Sequence, residues 1–185
     1  MTNPDSQLAA SSTVVLAEQS GIQQLLDKAS PHWKAKQLIQ RVEKLIRVDP
    51  SSACQRIFNA SIHDLKEKIV LTGLDIAKEA AEANRYPEVS KAEHVVSLDV
   101  KRTINLAVYM GLLTRPEWRR LSRAYDIRRD LEHEDDEYEA TFEDCVYVFK
   151  SCVEVVLAKD PVQLLKLTDV KGLIEQPKAA SLCVV

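Results

Sequence analysis

Apolar residues recur every three or four positions along most of this chain, which is the spacing of one face of an α-helix. A short helix is predicted over residues 21–28 and a longer one over 33–48, where an Asp-Pro pair breaks the pattern. The longest uninterrupted stripe covers residues 51–86 and contains Gly73. We predict a single helix there, in which the glycine lets another helix approach closely.

The second half of the chain continues in the same pattern. Residues 91–113 begin with closely spaced valines that would suit a strand, but the later apolar residues return to helical spacing and predict a helix. Thr114, with a proline in the first turn and a glutamate three residues on, signals a helix predicted to run toward His133. Asp136, again with a glutamate three residues on, predicts the start of another helix. The inner face of that helix is the most regular apolar stripe in the chain: Phe142, Cys145, Val146, Phe149, Cys152, Val153 and Val156.

These elements predict an all-α fold, a helical bundle of about five to seven helices. Only 4 of the 185 residues are glycine, which leaves little room for the many tight turns of a β-sandwich or barrel. A chain of this length can bury one core but hardly two. The predicted organisation is a flexible arm (1–18), N-terminal helices (19–48), the main bundle (49–176, closing with short helices over 162–167 and 169–175) and a flexible tail (177–185).

Charge and hydropathy restrict the compartments and partners that we expect for the protein. A net charge of −3 gives no overall basic field for nucleic acid, so such a partner would have to bind a local patch. The N-terminus lacks a signal-peptide pattern and no apolar run approaches the roughly 18 residues of a membrane span, so we expect a cytoplasmic protein with no membrane partner. No cofactor and no metal site are predicted. The cysteines fall at no metal-ligand spacing and suggest a reducing compartment: Cys54, Cys145, Cys152 and Cys183.

The most unusual charge pattern lies in residues 115–144. The basic residues there are all arginine: Arg115, Arg119, Arg120, Arg123, Arg128 and Arg129. An acidic run over 132–144 follows at once. One interpretation is structural: the two blocks solvate adjacent helices, pair with each other and complement the helix dipole. The other is that the planar guanidinium groups, which can bind phosphate through two hydrogen bonds, make Arg119, Arg120 and Arg123 an RNA-binding surface.

The segment Arg128-Arg129-Asp130-Leu131-Glu132-His133 places an arginine ahead of a histidine, late in a helix of an all-α chain. It resembles the HEPN family, the higher-eukaryote and prokaryote nucleotide-binding helical domains, whose signature is an arginine and a histidine four to six residues apart. The helical layout is similar over about residues 50–175, and the motif over these six residues alone. Many catalytic members carry Asn, Asp or His directly after the arginine, whereas here Arg129 holds that position and Asp130 follows it.

The resemblance implies metal-independent RNA cleavage, in which the ribose 2′-hydroxyl attacks the adjacent phosphate. Arg128 and His133 would be the catalytic residues, with Arg129, Asp130 and Tyr125 in support. An imidazole suits proton transfer near neutral pH, and a guanidinium suits the charge that builds on phosphoryl oxygens. The resemblance further implies a toxin or defence role, with an antitoxin or other regulatory protein as partner.

Helix geometry constrains such a pair. Five positions on a regular helix turn roughly 140°, so Arg128 and His133 do not share a face, whereas Arg129 and His133 nearly do. Either the helix loosens before His133, or the site is composite and two copies of the motif meet across a twofold axis. HEPN domains are known as dimers of the second kind, and we therefore expect a homodimer.

Three alternatives stay open. The chain could be a non-catalytic helical module that binds protein or nucleotide, with its charged blocks serving dimerisation. Tyr125 and Trp118 could stack on bases or fill the core, and the core is favoured. The acidic run could bind a divalent metal if a second segment of chain contributed ligands, the residues concerned being Glu132, His133, Asp135 and Asp136.

Overall fold

The structure is a computed structural model that describes residues 21–29, 31, 37–46, 48–131 and 141–160. Those residues form eight α-helices and no strand, which confirms the predicted all-α class. The helices are α1 (Ile22–Asp27), α2 (Leu38–Ile46), α3 (Pro50–Thr72), α4 (Leu74–Ala83), α5 (Ala92–Ser97), α6 (Val100–Tyr109), α7 (Arg115–Asp130) and α8 (Phe142–Cys152), and a π-helical turn follows at Val153–Leu157. The predicted arm, tail and short helices beyond residue 160 lie outside the described residues.

Helix α3 is the centre of the bundle. Its 23 residues pack most extensively against α2 and α8 and also contact α4, α5, α6 and α7. The apolar side chains on its inner face are buried at the predicted spacing, among them Phe58, Leu65 and Ile69. Ile22 of α1 and Val42 of α2 are buried in the same core. The two N-terminal helices therefore pack onto the main bundle.

The long helix predicted through Gly73 is in fact two helices, α3 and α4. Gly73 adopts a φ of 134° and a ψ of 127°. Residues with a Cβ atom rarely adopt this backbone conformation, and the helix breaks there. After the break the buried positions move by one residue, so that Ala77 and Ala81 are buried instead of Ile76 and Ala80. The prediction of a continuous stripe was wrong at this point.

The helix predicted over residues 91–113 is also divided, into α5 and α6. Leu98 and Asp99 both have extended backbone, with ψ angles of 139° and 164°. Asp99 Oδ1 accepts a hydrogen bond from the backbone N–H of Arg102 at 2.8 Å and thereby caps α6. An aspartate cap within an apolar pattern marks a helix start that the periodicity alone does not reveal.

A capping box begins both α7, which carries Arg128, and α8, which follows His133 in the chain. At α7 the box joins Thr114 and Glu117, as the sequence predicts: the Glu117 carboxylate accepts from the Thr114 N–H at 2.8 Å. The helix with the regular apolar stripe, α8, begins at Phe142 and not at the predicted Asp136, which lies outside the described residues; Thr141 and Asp144 form the second box. This box adjoins the first apolar residue of the stripe, where a cap can satisfy the free N–H groups of the first turn.

Removal of the threonine cap of α8 is expected to lower the free energy of unfolding by about 1 kcal/mol. The Thr141→Ala variant loses the acceptor for the Asp144 N–H, which lies 3.2 Å from the hydroxyl oxygen. Urea unfolding followed by circular dichroism measures the change. Thr141→Ser keeps the hydroxyl and is the control. An equal loss in both variants would show that the hydroxyl does not act as the cap.

A buried ion pair joins the middle of α3 to the π-helical turn. Lys68 Nζ donates to Asp64 Oδ2 at 2.6 Å and to the carbonyl oxygen of Val156 at 2.6 Å. The two charged side chains are only 10% and 9% exposed. The same carbonyl also accepts from the backbone N–H of Lys159 at 3.1 Å. Lys68 therefore links two distant parts of the chain through groups that have little contact with water.

Candidate functional site

Arg128 lies in the last turn of α7, which ends at Asp130 with Leu131 as its C-cap. Its side chain is partly buried, and its Nε atom is out of contact with solvent. The helical phase explains this burial, because Leu121 and Ala124, seven and four positions earlier on the same face, are fully buried. Arg128 thus continues the inner stripe of α7.

His133 lies outside the described residues, as does most of the acidic run. Because α7 ends before it, the roughly 140° that a regular helix places between Arg128 and His133 does not constrain the pair. The end of α7 is held by Gln55 of α3, whose Nε2 donates to the Leu131 carbonyl at 3.4 Å. Sequence reasoning missed Gln55, since its contact joins residues 76 positions apart in the chain.

The residues predicted to support the pair have different surroundings. Arg129 is exposed, and its guanidinium lies 3.9 Å from the Asp126 carboxylate and 3.7 Å from that of Asp130, both in the same helix. Tyr125 is partly buried, and its ring stacks on Phe58 of α3 with the ring centroids 6.0 Å apart. Tyr125 therefore packs against the core, which is the interpretation that the sequence favoured.

The first half of α7 is tied to the rest of the bundle by its own contacts. Trp118 Nε1 donates to Asn105 Oδ1 at 2.7 Å, and the Arg115 guanidinium lies 5.9 Å from the centre of the Trp118 ring. Lys159 Nζ donates to Glu117 Oε1 at 2.5 Å. Burial acts to raise the pKa of Glu117, but hydrogen bonds from Lys159 and from the cap outweigh it and lower that pKa. Trp118 is thus part of the packing.

The three arginines predicted to bind RNA do not form one surface with Arg128. Arg119 and Arg123 are exposed and lie one turn apart, whereas the Arg120 guanidinium pairs with the Glu154 carboxylate at 2.8 Å. Nine positions turn a helix by about 180°, so Arg119 and Arg128 point to opposite sides of α7. A phosphate bound by Arg128 would therefore lie across the helix from Arg119 of the same copy.

An open groove of about 680 Å³ lies between α3 and α5, and sequence reasoning did not find it. Leu71 and Val96, which line it, are 63% and 65% exposed although both are large and apolar. Lys66 Nζ donates to the carbonyls of Val96 and Leu98 at 2.7 and 2.6 Å, which holds α5 against α3, and burial lowers the pKa of Lys66. The polar side chains at the groove are Asn59, His63, Lys66 and Glu67.

The two histidines that the structure describes, His63 and His94, both have partners in the fold. His63 Nδ1 lies 3.4 Å from Glu67 Oε1 on the exposed side of α3, and His94 Nδ1 accepts from the Ser90 backbone N–H at 3.3 Å. Among the residues that the structure describes, no group of three or more His, Cys, Asp or Glu side chains is arranged to hold a metal ion. The acidic cluster considered as a metal site lies outside them.

Comparison with protein-family models, curated proteins and solved structures finds no match to this chain. In the described parts of the chain, no helix combines the length and the apolar character needed to cross a membrane. The inference of function therefore depends on the residues themselves, above all on Arg128 and the contacts at the end of α7.

Proposed function

We propose that this chain is a metal-independent endoribonuclease of the HEPN type, in which Arg128 and His133 act together on a phosphodiester. The observation that carries the proposal is the position of Arg128: it lies on the inner face of the last turn of α7, and the helix ends two residues later. A guanidinium whose stem is packed against the protein can present its N–H donors to a phosphate in a fixed direction. The second catalytic group is the His133 imidazole, which follows Arg128 at the spacing of the motif.

The proposed reaction needs no metal ion. The ribose 2′-hydroxyl gives up its proton and attacks the adjacent phosphorus, the bond from phosphorus to the 5′-oxygen breaks, and that oxygen takes up a proton. The products are a 2′,3′-cyclic phosphate and a 5′-hydroxyl. The His133 imidazole is suited to proton transfer, and the Arg128 guanidinium is suited to stabilising charge on the non-bridging oxygens.

A site shared by two copies of the chain is part of the proposal. The exposed Arg119 and Arg123 lie on the side of α7 that faces away from Arg128, so these three side chains do not form one continuous basic surface within a single copy. Two copies related by a twofold axis would bring two Arg128–His133 pairs to one groove. By resemblance, such an enzyme would act as a toxin or in defence, opposed by an antitoxin or another regulatory protein.

The proposal is tested by incubating the purified chain with a single-stranded RNA of mixed sequence in the presence of EDTA. We expect cleavage that leaves cyclic phosphate ends. His133→Ala and Arg128→Ala should each lower the cleavage rate by at least about 100-fold. Arg128→Lys should recover little, because lysine lacks the planar pair of donors.

The matched controls are His63→Ala and Arg102→Ala. Both residues are exposed. His63 pairs with the Glu67 carboxylate one turn later, and Arg102 pairs with the Asp99 carboxylate one turn earlier. These variants should cleave RNA at the rate of the unsubstituted chain. Activity that survives both catalytic substitutions, or that EDTA removes, would exclude the proposed mechanism. Sedimentation analysis of the same samples tests whether the active species is a dimer.

A non-catalytic binding module is the second candidate. It is favoured by the groove between α3 and α5, because exposed apolar residues that cluster in a groove, as Leu71 and Val96 do, are typical of protein-contact surfaces. The two candidates differ in a cell-based test. Expression of the ribonuclease should slow growth, and His133→Ala should abolish that effect, whereas a binding module would act identically with and without His133.

A further inference from the structure

Three aromatic side chains are linked through one asparagine beside the contact between α6 and α7. Trp118 Nε1 donates to Asn105 Oδ1 at 2.7 Å, and Asn105 Nδ2 donates to the Tyr86 hydroxyl oxygen at 3.0 Å. Tyr86 packs edge to face against Tyr109, with the ring centroids 5.8 Å apart. We call Tyr86, Tyr109 and Trp118 the aromatic cluster. Its rings are held in place by contacts within the fold.

Tyr109 is the exposed member of the aromatic cluster. Its side chain is 46% exposed, whereas Tyr86 and Trp118 are partly buried. Burial of a large ring normally stabilises a fold, so a ring that the fold leaves half open is free to contact another molecule. Because Tyr86 packs against it, a ligand that stacks on Tyr109 would cost little further ordering of the protein.

A row of arginines begins next to the aromatic cluster. Arg115, Arg119 and Arg123 are all exposed, and they follow one another at intervals of four residues, about 6 Å along the axis of α7. The Arg115 guanidinium lies 5.9 Å from the centre of the Trp118 ring. Arg120, which points to another side of α7 and is paired with a carboxylate, is not part of this arginine row.

The arginine row is not used in ion pairs within the part of the chain that the structure describes. The carboxylates of α7 have other partners: Glu117 pairs with Lys159 at 2.5 Å, and Asp126 and Asp130 lie 3.9 and 3.7 Å from Arg129. Pairing between charged blocks, which would be the structural explanation of these arginines, therefore does not account for the row. Three neighbouring positive charges instead favour a ligand with several negative charges.

We propose that the arginine row and Tyr109 bind single-stranded RNA outside the cleavage site, with phosphates on the guanidinium groups and an unstacked base on the Tyr109 ring. Single strands present a chain of negative charges together with bases whose faces are free, whereas a duplex covers those faces. The choice of RNA rests on the proposed function. Since the row faces away from Arg128 of the same copy, it would hold the substrate without taking part in the chemistry.

Fluorescence anisotropy tests the binding separately from cleavage. The probe is a labelled oligonucleotide of about 12 nucleotides in which 2′-O-methyl groups replace the 2′-hydroxyls, so that it cannot be cleaved. We expect the unsubstituted chain to bind it with a Kd in the micromolar range at about 0.1 M salt. A hairpin of the same chemistry should bind at least about 5-fold more weakly, because its bases are stacked. Failure to bind the single strand, or equal affinity for the hairpin, would overturn the proposal.

Tyr109→Ala should weaken binding of the single strand by at least about 5-fold, since a stacked base is lost. Tyr109→Phe is the matched control, because it keeps the ring, and should bind as tightly as the unsubstituted chain. Neither substitution changes the charge, so both should leave the salt dependence of binding as it is. Thermal unfolding checks that both variants are folded. Equal losses of affinity in the two variants would contradict stacking on the ring.

The double variant Arg119→Ala/Arg123→Ala should make the plot of log Kd against log salt concentration shallower by about 1.4, or about 0.7 for each phosphate contact. The matched control is Arg41→Ala/Lys44→Ala, which removes two exposed basic residues from α2, a helix that packs against α3. The control should keep the original slope. The same change of slope in both double variants would indicate a general effect of net charge and would overturn the proposal.

These results separate the binding surface from the ribonuclease. Binding that depends on Tyr109 and the arginine row, in a chain that cleaves no ordinary RNA, would support the surface and exclude the enzyme. Cleavage by a chain whose RNA binding is unaffected by the substitutions would do the reverse. Tyrosine, tryptophan and arginine are also enriched in protein interfaces. A dimer that Tyr109→Ala dissociates in sedimentation, with unchanged RNA binding, would assign the aromatic cluster to a protein contact and overturn the proposal.

Discussion

Replacing Lys68 with alanine is expected to lower the free energy of unfolding by about 3 to 5 kcal/mol. In the native chain the ammonium group donates to Asp64 Oδ2 and to the Val156 carbonyl, both at 2.6 Å. Without it, the Asp64 carboxylate would be left with an uncompensated charge at a site where its side chain is 9% exposed. The carbonyl of the π-helical turn would also lose a charged donor.

The double variant Asp64→Leu/Lys68→Met separates this explanation from simple loss of packing. It removes both charges and keeps side chains of similar length and branching, and hydrophobic replacement of a buried ion pair is often neutral or stabilising. We therefore expect the double variant to be more stable than Lys68→Ala. Guanidinium unfolding monitored by circular dichroism measures both changes. The double variant also tests the importance of the Val156 carbonyl, since it removes the Lys68 donor and keeps the hydrogen bond from the Lys159 N–H.

An exposed pair with the same spacing is the control for Lys68. Lys78 and Glu82 are also four residues apart, at 3.8 Å, but their side chains are 49% and 63% exposed. Lys78→Ala should lower the free energy of unfolding by no more than about 0.5 kcal/mol, because water and salt screen exposed pairs. Equal losses from Lys68→Ala and Lys78→Ala would show that burial of the pair has no special effect.

Local sequence signals were sufficient to predict most of the helices. The cap at Thr114 gave the start of α7, and the apolar stripe through Phe149 gave the inner face of α8. The failures at Gly73 and Asp99 have one physical cause. An apolar stripe shows which side of a chain faces the core, but two short helices on the same side give nearly the same pattern as one long helix.

The candidate site could be predicted only in part. The local sequence places Arg128 late in this helix, but it predicts that the helix runs on toward His133, whereas α7 ends at Asp130. The opposite directions of Arg119 and Arg128 follow from helical phase alone. The partner of Arg120 could not be predicted, since Glu154 lies beyond the acidic run, after α8. Contacts of this kind depend on which helices pack together, and no spacing within one helix reveals that.

Phe58→Ala is expected to lower the free energy of unfolding by about 3 to 5 kcal/mol, the range found when a large buried ring is removed and its space is not refilled. Phe58 is fully buried near the middle of α3, and its ring stacks on Tyr125 of α7 at an interplanar angle of 23°. The cavity would thus open between α3 and the helix that holds Arg128. Leu71→Ala, in the same helix but at a residue 63% exposed, should change stability by no more than about 0.5 kcal/mol.

Two roles are open to Tyr125, packing against Phe58 in the core or stacking on a base of the RNA, and they predict different effects on stability. If Tyr125 acts through packing, Tyr125→Phe should be nearly as stable as the unsubstituted chain. Because the two rings contact each other, the double variant Phe58→Ala/Tyr125→Ala should lose less free energy of unfolding than the two single variants lose in sum. A double-mutant cycle by urea unfolding measures this coupling, for which we expect about 0.5 to 1.5 kcal/mol. Strictly additive losses would mean that the rings do not stabilise each other, and would reopen the hypothesis that Tyr125 stacks on a base of the RNA.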